Sequence, residues 1–348
     1  MIPGDLTAEL ARLLDSLALP AKAAAPTPHG TWRPAEGPGS YATSLPFALA
    51  TLTNQPPDTI AARLADQLAD LPWISTARAT AGYLTVTVTR AHLAALPARI
   101  VAAGPACASS HALAGRRLTA PHPPDLATAP DWPPAWRAQR DALVGAFGHA
   151  AGADVQFIHS ENSGPASRPA AARQSPPRVA TSYYGADAVR YALARATKPT
   201  PSFIESQLRR PLDLSNPFFV VRYAHARAAS ILRWAQDLGA APGRPAGSQP
   251  EVQPAELDLI DAMSWLPERV AAAHRTRRSA ELTAHLEIVA QAWLVCCERH
   301  PALPFGGRAA PSDPSDRTAT ARLELAEAAM TILGAGLGLL NVAAPAKM

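Results

Sequence analysis

The stretch Asn216-Pro-Phe-Phe-Val-Val-Arg-Tyr-Ala-His-Ala-Arg-Ala-Ala-Ser-Ile-Leu-Arg-Trp-Ala-Gln-Asp-Leu-Gly239 reads as one helix from cap to stop. Asn216 stands where a side-chain oxygen accepts from the first free backbone N–H groups. Pro217 falls in the first turn, where its missing N–H and fixed φ do no harm. Gly239 follows the last turn as a C-terminal stop. Val220, Ala224, Ala228, Ile231, Ala235 and Leu238 recur at helical spacing and form a stripe fit for burial. Beside that stripe, Tyr223, Arg227, Ser230 and Trp234 share a second face.

Working outward, further helices are predicted at Asp187–Ala196, at Ala255–Arg278 with an interruption at Pro267, at Leu282–Arg299 and at Thr318–Leu340. With the first helix, Pro217–Leu238, they make an all-α helix bundle over residues 181–348. Residues 1–104 read as a small α+β domain. Helices are expected over Asp5–Leu19, Tyr41–Leu52, Pro57–Leu71 and His92–Ala103, and the alternating, β-branched run from Tyr83 is a strand. Residues 105–180 are dense in proline, with a helix expected only over Trp136–Ala151 and a strand over Ala153–His159. The stretch 160–178 reads as a linker open to proteolysis. The predicted fold class is mainly α: a small N-terminal α+β domain, a Pro-rich middle and a C-terminal all-α bundle.

Composition agrees with this and limits function only loosely. The chain is 48% hydrophobic but only 6% aromatic, and the apolar share leans on Ala and Leu, which favours packed helices. A net charge of +4 is compatible with an acidic partner without requiring one. Lysine stands only at Lys22, Lys198 and Lys347, so the cations are overwhelmingly arginine. The planar guanidinium fork suits phosphates and bases, although a GC-rich coding sequence raises Ala, Pro and Arg together. Cys107, Cys296 and Cys297 have neither disulfide-framework nor zinc-site spacing. They read as small apolar residues in a reducing compartment. Met1–Glu9 carries no basic run, and no 18-residue apolar run occurs. A cytoplasmic protein is expected, with no membrane, metal or cofactor.

Several segments resemble arginyl-tRNA synthetase. Gly185-Ala-Asp-Ala-Val-Arg-Tyr191 is similar to the Gly-Ala-Asp-Ala-Leu-Arg-Tyr segment of its DALR-type anticodon-binding domain. Asn216 to Arg227 resembles Asn-Pro-Val-Tyr-Tyr-Val-Gln-Tyr-Ala-His-Ala-Arg, and Leu339-Leu-Asn-Val-Ala-Ala-Pro-Ala-Lys-Met348 resembles the family's ending at methionine. Trp293 to Pro304 lies near the family's tyrosine-bearing late helix. Ser40-Tyr-Ala-Thr-Ser44 stands for the Asp-Tyr-Ala-Thr-Asn motif of the family's N-terminal domain, which meets the tRNA elbow.

The resemblance skips the middle. The family's catalytic Rossmann domain carries His-x-Gly-His and a Lys-Met-Ser-Lys-Ser-like loop, and neither motif occurs in this sequence. Asp141-Ala-Leu to Gly152-Ala-Asp-Val155 is a faint relic of it. Without phosphate-binding groups nothing stabilises the charge developing in adenylate formation. The resemblance therefore implies a pseudo-enzyme without catalytic residues: an arginyl-tRNA-synthetase-related anticodon-binding protein whose partner is tRNA, of the arginine-accepting class.

For the RNA contact the resemblance implies Tyr223, Arg227 and Met348, with Arg222 where the family has Gln, and Ser44 where it has Asn at the elbow contact. Trp234 joins them through its spacing on the helix. Aromatic rings and arginines on one face can stack unpaired bases and pair phosphates. The same pattern also suits Tyr223 and Trp234 packing on a neighbour while Arg227 pairs with an acid. Cys297 stands where the family's late helix has tyrosine. Three smaller features have bland readings: His225 as a packed or capping histidine, His274-Arg-Thr-Arg-Arg278 as a solvated helix end, and Trp132 and Trp136 as covers for the domain surface. Two other functions stay open. One is an interaction module whose partner is a complete arginyl-tRNA synthetase. The other is an enzyme using arginyl-tRNA as donor, for which no nucleophile–base pair stands at recognisable spacing.

Overall fold

The computed structural model describes residues 1–16, 31–158, 175–198, 200–242, 252–303 and 314–348. It is mainly α, with one small antiparallel sheet and one parallel strand pair. The chain opens with α1 (Ile2–Ser16), whose Ile2, Leu6, Leu10 and Leu14 are buried along one side. Residues 17–19 of the expected helix lie outside the described residues.

A four-stranded sheet comes next in the order β1-β2-β4-β3, all antiparallel, made of β1 (Trp32–Pro34), β2 (Ser40–Thr43), β3 (Ile74–Thr80) and β4 (Tyr83–Val88). Between β2 and β3 lie α2 (Leu45–Thr53) and α3 (Pro57–Ala69). The expected helix over Tyr41–Leu52 is thus corrected: Tyr41 and Thr43 pair with Val86 and Leu84 of β4. The Thr43 hydroxyl then accepts from the Leu45 N–H at 3.1 Å, and helix begins only there. β3 and β4 are joined through Ala81 (φ +48°) and Gly82 (φ +77°), both left-handed as a type I′ turn requires. Gly82 also has no room for a side chain, since a Cβ would stand 2.6 Å from Phe47 Cζ.

The helix expected over His92–Ala103 is divided into α4 (Arg90–Ala94) and α5 (Leu96–Ala103), with Pro97 in the first turn of α5, and a 3-10 turn continues at Gly104–Ala108. By length and composition, Arg90–Ala108 is apolar enough to cross a membrane. Leu93, Leu96, Ile100 and Cys107 of this run are buried in the core.

In the middle, β5 (Arg117–Pro121), α6 (Trp132–Ala150) and β6 (Asp154–Ile158) form a βαβ unit with a parallel strand pair. α6 begins four residues before the expected Trp136, because Pro133 and Pro134 sit in its first turn, where proline is tolerated. Trp132 donates its indole N–H to the Ser175 carbonyl at 2.9 Å, and Trp136 to the Ala196 carbonyl at 3.1 Å. The two tryptophans fasten α6 to the helical part of the chain on its C-terminal side. Most of the expected linker, residues 159–174, lies outside the described residues.

From Pro177 the chain is helical: α7 (Pro177–Tyr184), α8 (Ala186–Arg195), α9 (Pro201–Leu208), α10 (Pro217–Asp237), α11 (Pro254–Ser264), α12 (Leu266–Thr276), α13 (Ala280–Arg299) and α14 (Pro314–Leu339). α7 and α9 add to the five expected helices. Each is short and starts at a proline, α7 at the end of the stretch expected to be linker.

A small core of Leu126, Trp132, Ala180, Val189, Leu193, Ile204 and Leu208 joins α6 to α7–α9. A larger one is continuous from α1 and the sheet through α5 into α10–α14. Within it Tyr41 packs against Trp265 with centroids 5.2 Å apart and the rings tilted at 43°. The Tyr41 hydroxyl donates to Asp261 Oδ1 at 3.2 Å, which also accepts the Gly39 N–H at 2.9 Å. Burial raises the Asp261 pKa and that of Tyr41. Tyr41, a motif residue of the sequence resemblance, is a buried structural group.

Candidate nucleic-acid interface

α10 begins as its sequence dictates. The Asn216 side-chain oxygen accepts from the N–H groups of Phe218 and Phe219 at 3.1 and 3.4 Å. Its amide nitrogen donates to the carbonyls of Pro211 and Arg210 at 3.1 and 3.4 Å. One side chain therefore caps the helix and ties down the preceding loop. Ser215 gives Asp213 both its N–H and its hydroxyl, which stiffens the loop further and lowers the Asp213 pKa.

Against this helix start lies a cleft of about 500 Å³. Its walls come from α7 and α8, the end of α9 with the 209–212 loop, the first turns of α10 and Met348. The cleft is unusually aromatic for a chain so poor in aromatic residues. Tyr183 and Tyr184 meet edge to face at 4.7 Å, Tyr191 packs on Phe218 at 5.7 Å, and Tyr183 is 79% exposed. Phe219 stacks on Tyr223 at 5.6 Å with an interplanar angle of 10°, carrying the aromatic surface along α10.

Four arginines line the cleft, and they fall into two classes. Arg195 is neutralised: its Nε lies 2.8 Å from Glu287 Oε1, an oxygen that also accepts from the buried Tyr191 hydroxyl at 3.2 Å. That hydrogen bond raises the Arg195 pKa, and burial raises that of Tyr191. Arg209 meets Glu205 at 3.6 Å. Arg210 and Arg222 form no ion pair with any described residue. Arg210 donates to the Ser215 carbonyl at 3.2 Å, and Arg222 lies over the Phe218 ring at 5.0 Å. The Arg222 Nε is buried without a hydrogen-bond partner. A concave aromatic surface with uncompensated guanidinium charge is chemically suited to an anion that carries planar rings.

The six residues expected from the sequence are distributed unevenly. Arg222 and Met348 line the cleft together. Tyr223 and Arg227 lie on its flank, where Arg227 Nη1 donates to the Tyr223 hydroxyl and Nε to Cys297 Sγ, each at 3.4 Å. The alternative in which Arg227 pairs with an acid is not what forms; the thiol takes that place and is the main cause of a raised Arg227 pKa. Trp234 is 55% exposed and stands two turns beyond, outside the cleft. Ser44 is exposed between β2 and α2, at the N-cap position of α2, far along the chain from the cleft residues.

The sequence reading missed Tyr183, Tyr184, Tyr191, Phe218 and Arg210. The adjacent pairs Tyr183-Tyr184 and Phe218-Phe219 were the available signal, but what makes them a site is the packing of α7 and α8 against α10.

The smaller features also find places. The basic helix end is solvated over residues 275–278, as expected, but it is also tied to α6: the half-buried His274 has Nδ1 2.9 Å from the Val144 carbonyl, and the exposed Arg277 meets Asp141 at 2.9 Å. His225 is buried, as expected of a packed histidine. Cys107, Cys296 and Cys297 are buried and free. Among the described residues no group of three or more His, Cys, Asp or Glu could hold a metal ion.

The helical layer built on α10 corresponds to a known class: residues 221–348 match the model of the DALR anticodon binding domain. The chain is related in sequence to arginyl-tRNA synthetases. It is 37% identical over 175 residues to arginine–tRNA ligase of Micrococcus luteus, covering 48% of this chain and 30% of that one. To the ligase of Renibacterium salmoninarum it is 33% identical over 169 residues, covering 48% and 29%. The chain therefore spans about 30% of the length of the curated relatives it matches. In fold it is similar to the arginyl-tRNA synthetase of Thermus thermophilus, with a TM-score of 0.60 at 14% identity, covering 100% of both chains.

Proposed function

We propose that this protein is a non-catalytic, cytoplasmic tRNA-binding protein that takes the unpaired anticodon region of tRNA, of the arginine-accepting class, into the cleft at the start of α10. The observation that carries the reading is the pairing of open aromatic rings with two arginines, Arg210 and Arg222, that have no carboxylate partner among the described residues. Stacked rings hold unpaired bases whatever their identity, and free guanidiniums hold phosphates. Tyr223 and Arg227 extend the surface, Trp234 gives a further ring beyond it, and Met348 closes a wall. Ser44 is assigned to a separate contact, at the tRNA elbow.

The pseudo-enzyme part rests on two supports. His-x-Gly-His and the Lys-Met-Ser-Lys-Ser-like loop are missing from the sequence. The βαβ unit at 117–158 offers a single parallel strand pair where a nucleotide fold needs a wider sheet with a switch point.

The test is a mobility shift with total tRNA over a salt series, run beside arginine-dependent exchange of pyrophosphate into ATP. Three or four phosphate contacts to single-stranded RNA give a log–log salt slope of roughly −2 to −3. Tight tRNA binding with that slope and no exchange above a heat-killed control is the expected result. Clear exchange removes the pseudo-enzyme reading. Absence of tRNA binding removes the RNA reading and favours an interaction module that docks on a complete arginyl-tRNA synthetase.

A further inference from the structure

Residues 341–348 run from the end of α14 across α8 and α10, and their course is set by side chains. Leu340 and Val342 are buried, and the Val342 N–H still reaches back to the Leu337 carbonyl at 3.0 Å. Beyond Val342 only Ala344 still packs against the core, and no residue is fully buried, so apolar burial alone does not set where the segment goes. Polar anchors do. The Ala343 N–H donates to Asp187 Oδ2 at 3.1 Å, and Arg190 Nη1 donates to the Asn341 carbonyl at 3.3 Å. Further along, His225 Nδ1 lies 2.8 Å from the Pro345 carbonyl, and Arg233 Nη1 donates to the Ala346 carbonyl at 2.8 Å.

His225 is nine-tenths buried, and its burial lowers its pKa, so the ring is held neutral. A neutral ring facing a carbonyl must carry its proton on Nδ1. The opposite nitrogen faces α14 at Gly334, where a Cβ would stand 3.3 Å from Nε2. The glycine leaves the ring the space to reach the segment. Arg233 is steadied by a 2.8 Å bond from Nη2 to the Ser230 hydroxyl.

We propose that His225 and Arg233 are positioning residues: they grip the Pro345 and Ala346 carbonyls and so hold Met348 in the wall of the cleft. Neither lines the cleft itself. The consequence for RNA affinity rests on the proposed tRNA-binding function; the anchoring of the segment does not.

The experiment uses the full chain labelled with 13C-methyl methionine. There are four methionines, and Met348→Leu identifies the signal of interest. In Arg233→Ala the Met348 methyl resonance is expected to narrow and move to the position of a free methionine. The signals of Met263 and Met330 stay in place and report an intact fold. Arg233→Lys, which keeps one cationic donor, restores part of the shift. His225→Asn carries an amide donor near the place of Nδ1 and retains more of it than His225→Ala. Affinity for tRNA falls about three- to tenfold in Arg233→Ala, the ordering cost of a side chain that is no longer preset.

An unchanged Met348 resonance in Arg233→Ala overturns the proposal. A released Met348 with unchanged tRNA affinity upholds the anchoring and overturns its consequence for RNA affinity. If the unaltered chain binds no tRNA, the RNA reading fails instead, and the methyl resonance alone decides whether the two residues position the segment.

Discussion

Arg222 holds its guanidinium over Phe218 at 5.0 Å, and no described carboxylate pairs with it. Arg222→Ala is expected to weaken tRNA binding by about 1–3 kcal/mol, through loss of a charge-assisted contact and a stacking plane. Its melting temperature should change little, because no ion pair is broken. Arg227→Ala should weaken binding by a similar order, roughly 1–3 kcal/mol, with the apolar stripe of the helix untouched. A lower melting temperature with unaltered affinity would instead mark its link to Cys297 as structural. His285 gives a separate test. Burial, with a lesser push from Arg269, lowers its pKa to about 3 from an ordinary 6.5. The folded chain therefore keeps His285 neutral while the unfolded chain protonates it below pH 6.5. Stability is full above that pH and falls as the solution is acidified towards 3, by at most about 1.4 kcal/mol per pH unit from this group. Thermal melts of the parent and His285→Phe between pH 7 and 4 check this; parallel curves refute it. At this scale the sequence was only partly readable. Spacing on one helix brought out Tyr223, Arg227 and Trp234, and resemblance added Arg222 and Met348. Tyr183 reaches the cleft from α7 and Arg210 from the loop before α10, and no local pattern marks such a meeting.

Elements were readable where their ends are marked. α10 has Asn216, Pro217 and Gly239 as punctuation and a clean apolar period, and it forms within a residue of its expected limits. β3 has no such signature. Most of its residues are exposed, so no apolar alternation distinguishes it, and it exists because β4 offers it a hairpin partner. α7 and α9 were hidden by prolines, which end helices in their interiors but start them in their first turns. The cap of α10 leads to a prediction at this scale. Asn216→Ala removes the acceptor for two helix N–H groups and the donor to two loop carbonyls, and should cost about 1–2 kcal/mol of stability. The 209–215 loop, which carries Arg209, Arg210 and Leu212 into the cleft, should exchange its amide protons faster in that variant. Hydrogen exchange checks the second effect and melting the first; unchanged exchange across 209–215 would show that the loop is held by other means.

In the whole molecule, sequence reading treats the sheet and the bundle as units joined by a proline-rich middle, whereas the larger core runs through both. That continuity was not legible, because it depends on packing between residues far apart in the chain, with the contacts of Gly39 and Tyr41 with Asp261, more than 200 positions away, as one instance. The contact has a consequence for how a ligand is measured. Two surfaces on one stiff frame act as a caliper, and a ligand touching both gains from effective concentration only when its own features are spaced to fit. With Ser44 at one jaw and the cleft at the other, intact tRNA should outcompete its isolated anticodon hairpin in filter binding. Asp261→Ala deprives the Gly39 N–H and the Tyr41 hydroxyl of their acceptor and loosens the frame. It should shrink that preference while leaving hairpin affinity as it was. Equal affinities for tRNA and hairpin in the unaltered protein would mean that only one jaw closes. On the proposed function, selectivity for whole tRNA is then a matter of distance held constant, set by a half-buried carboxylate that lies outside the cleft.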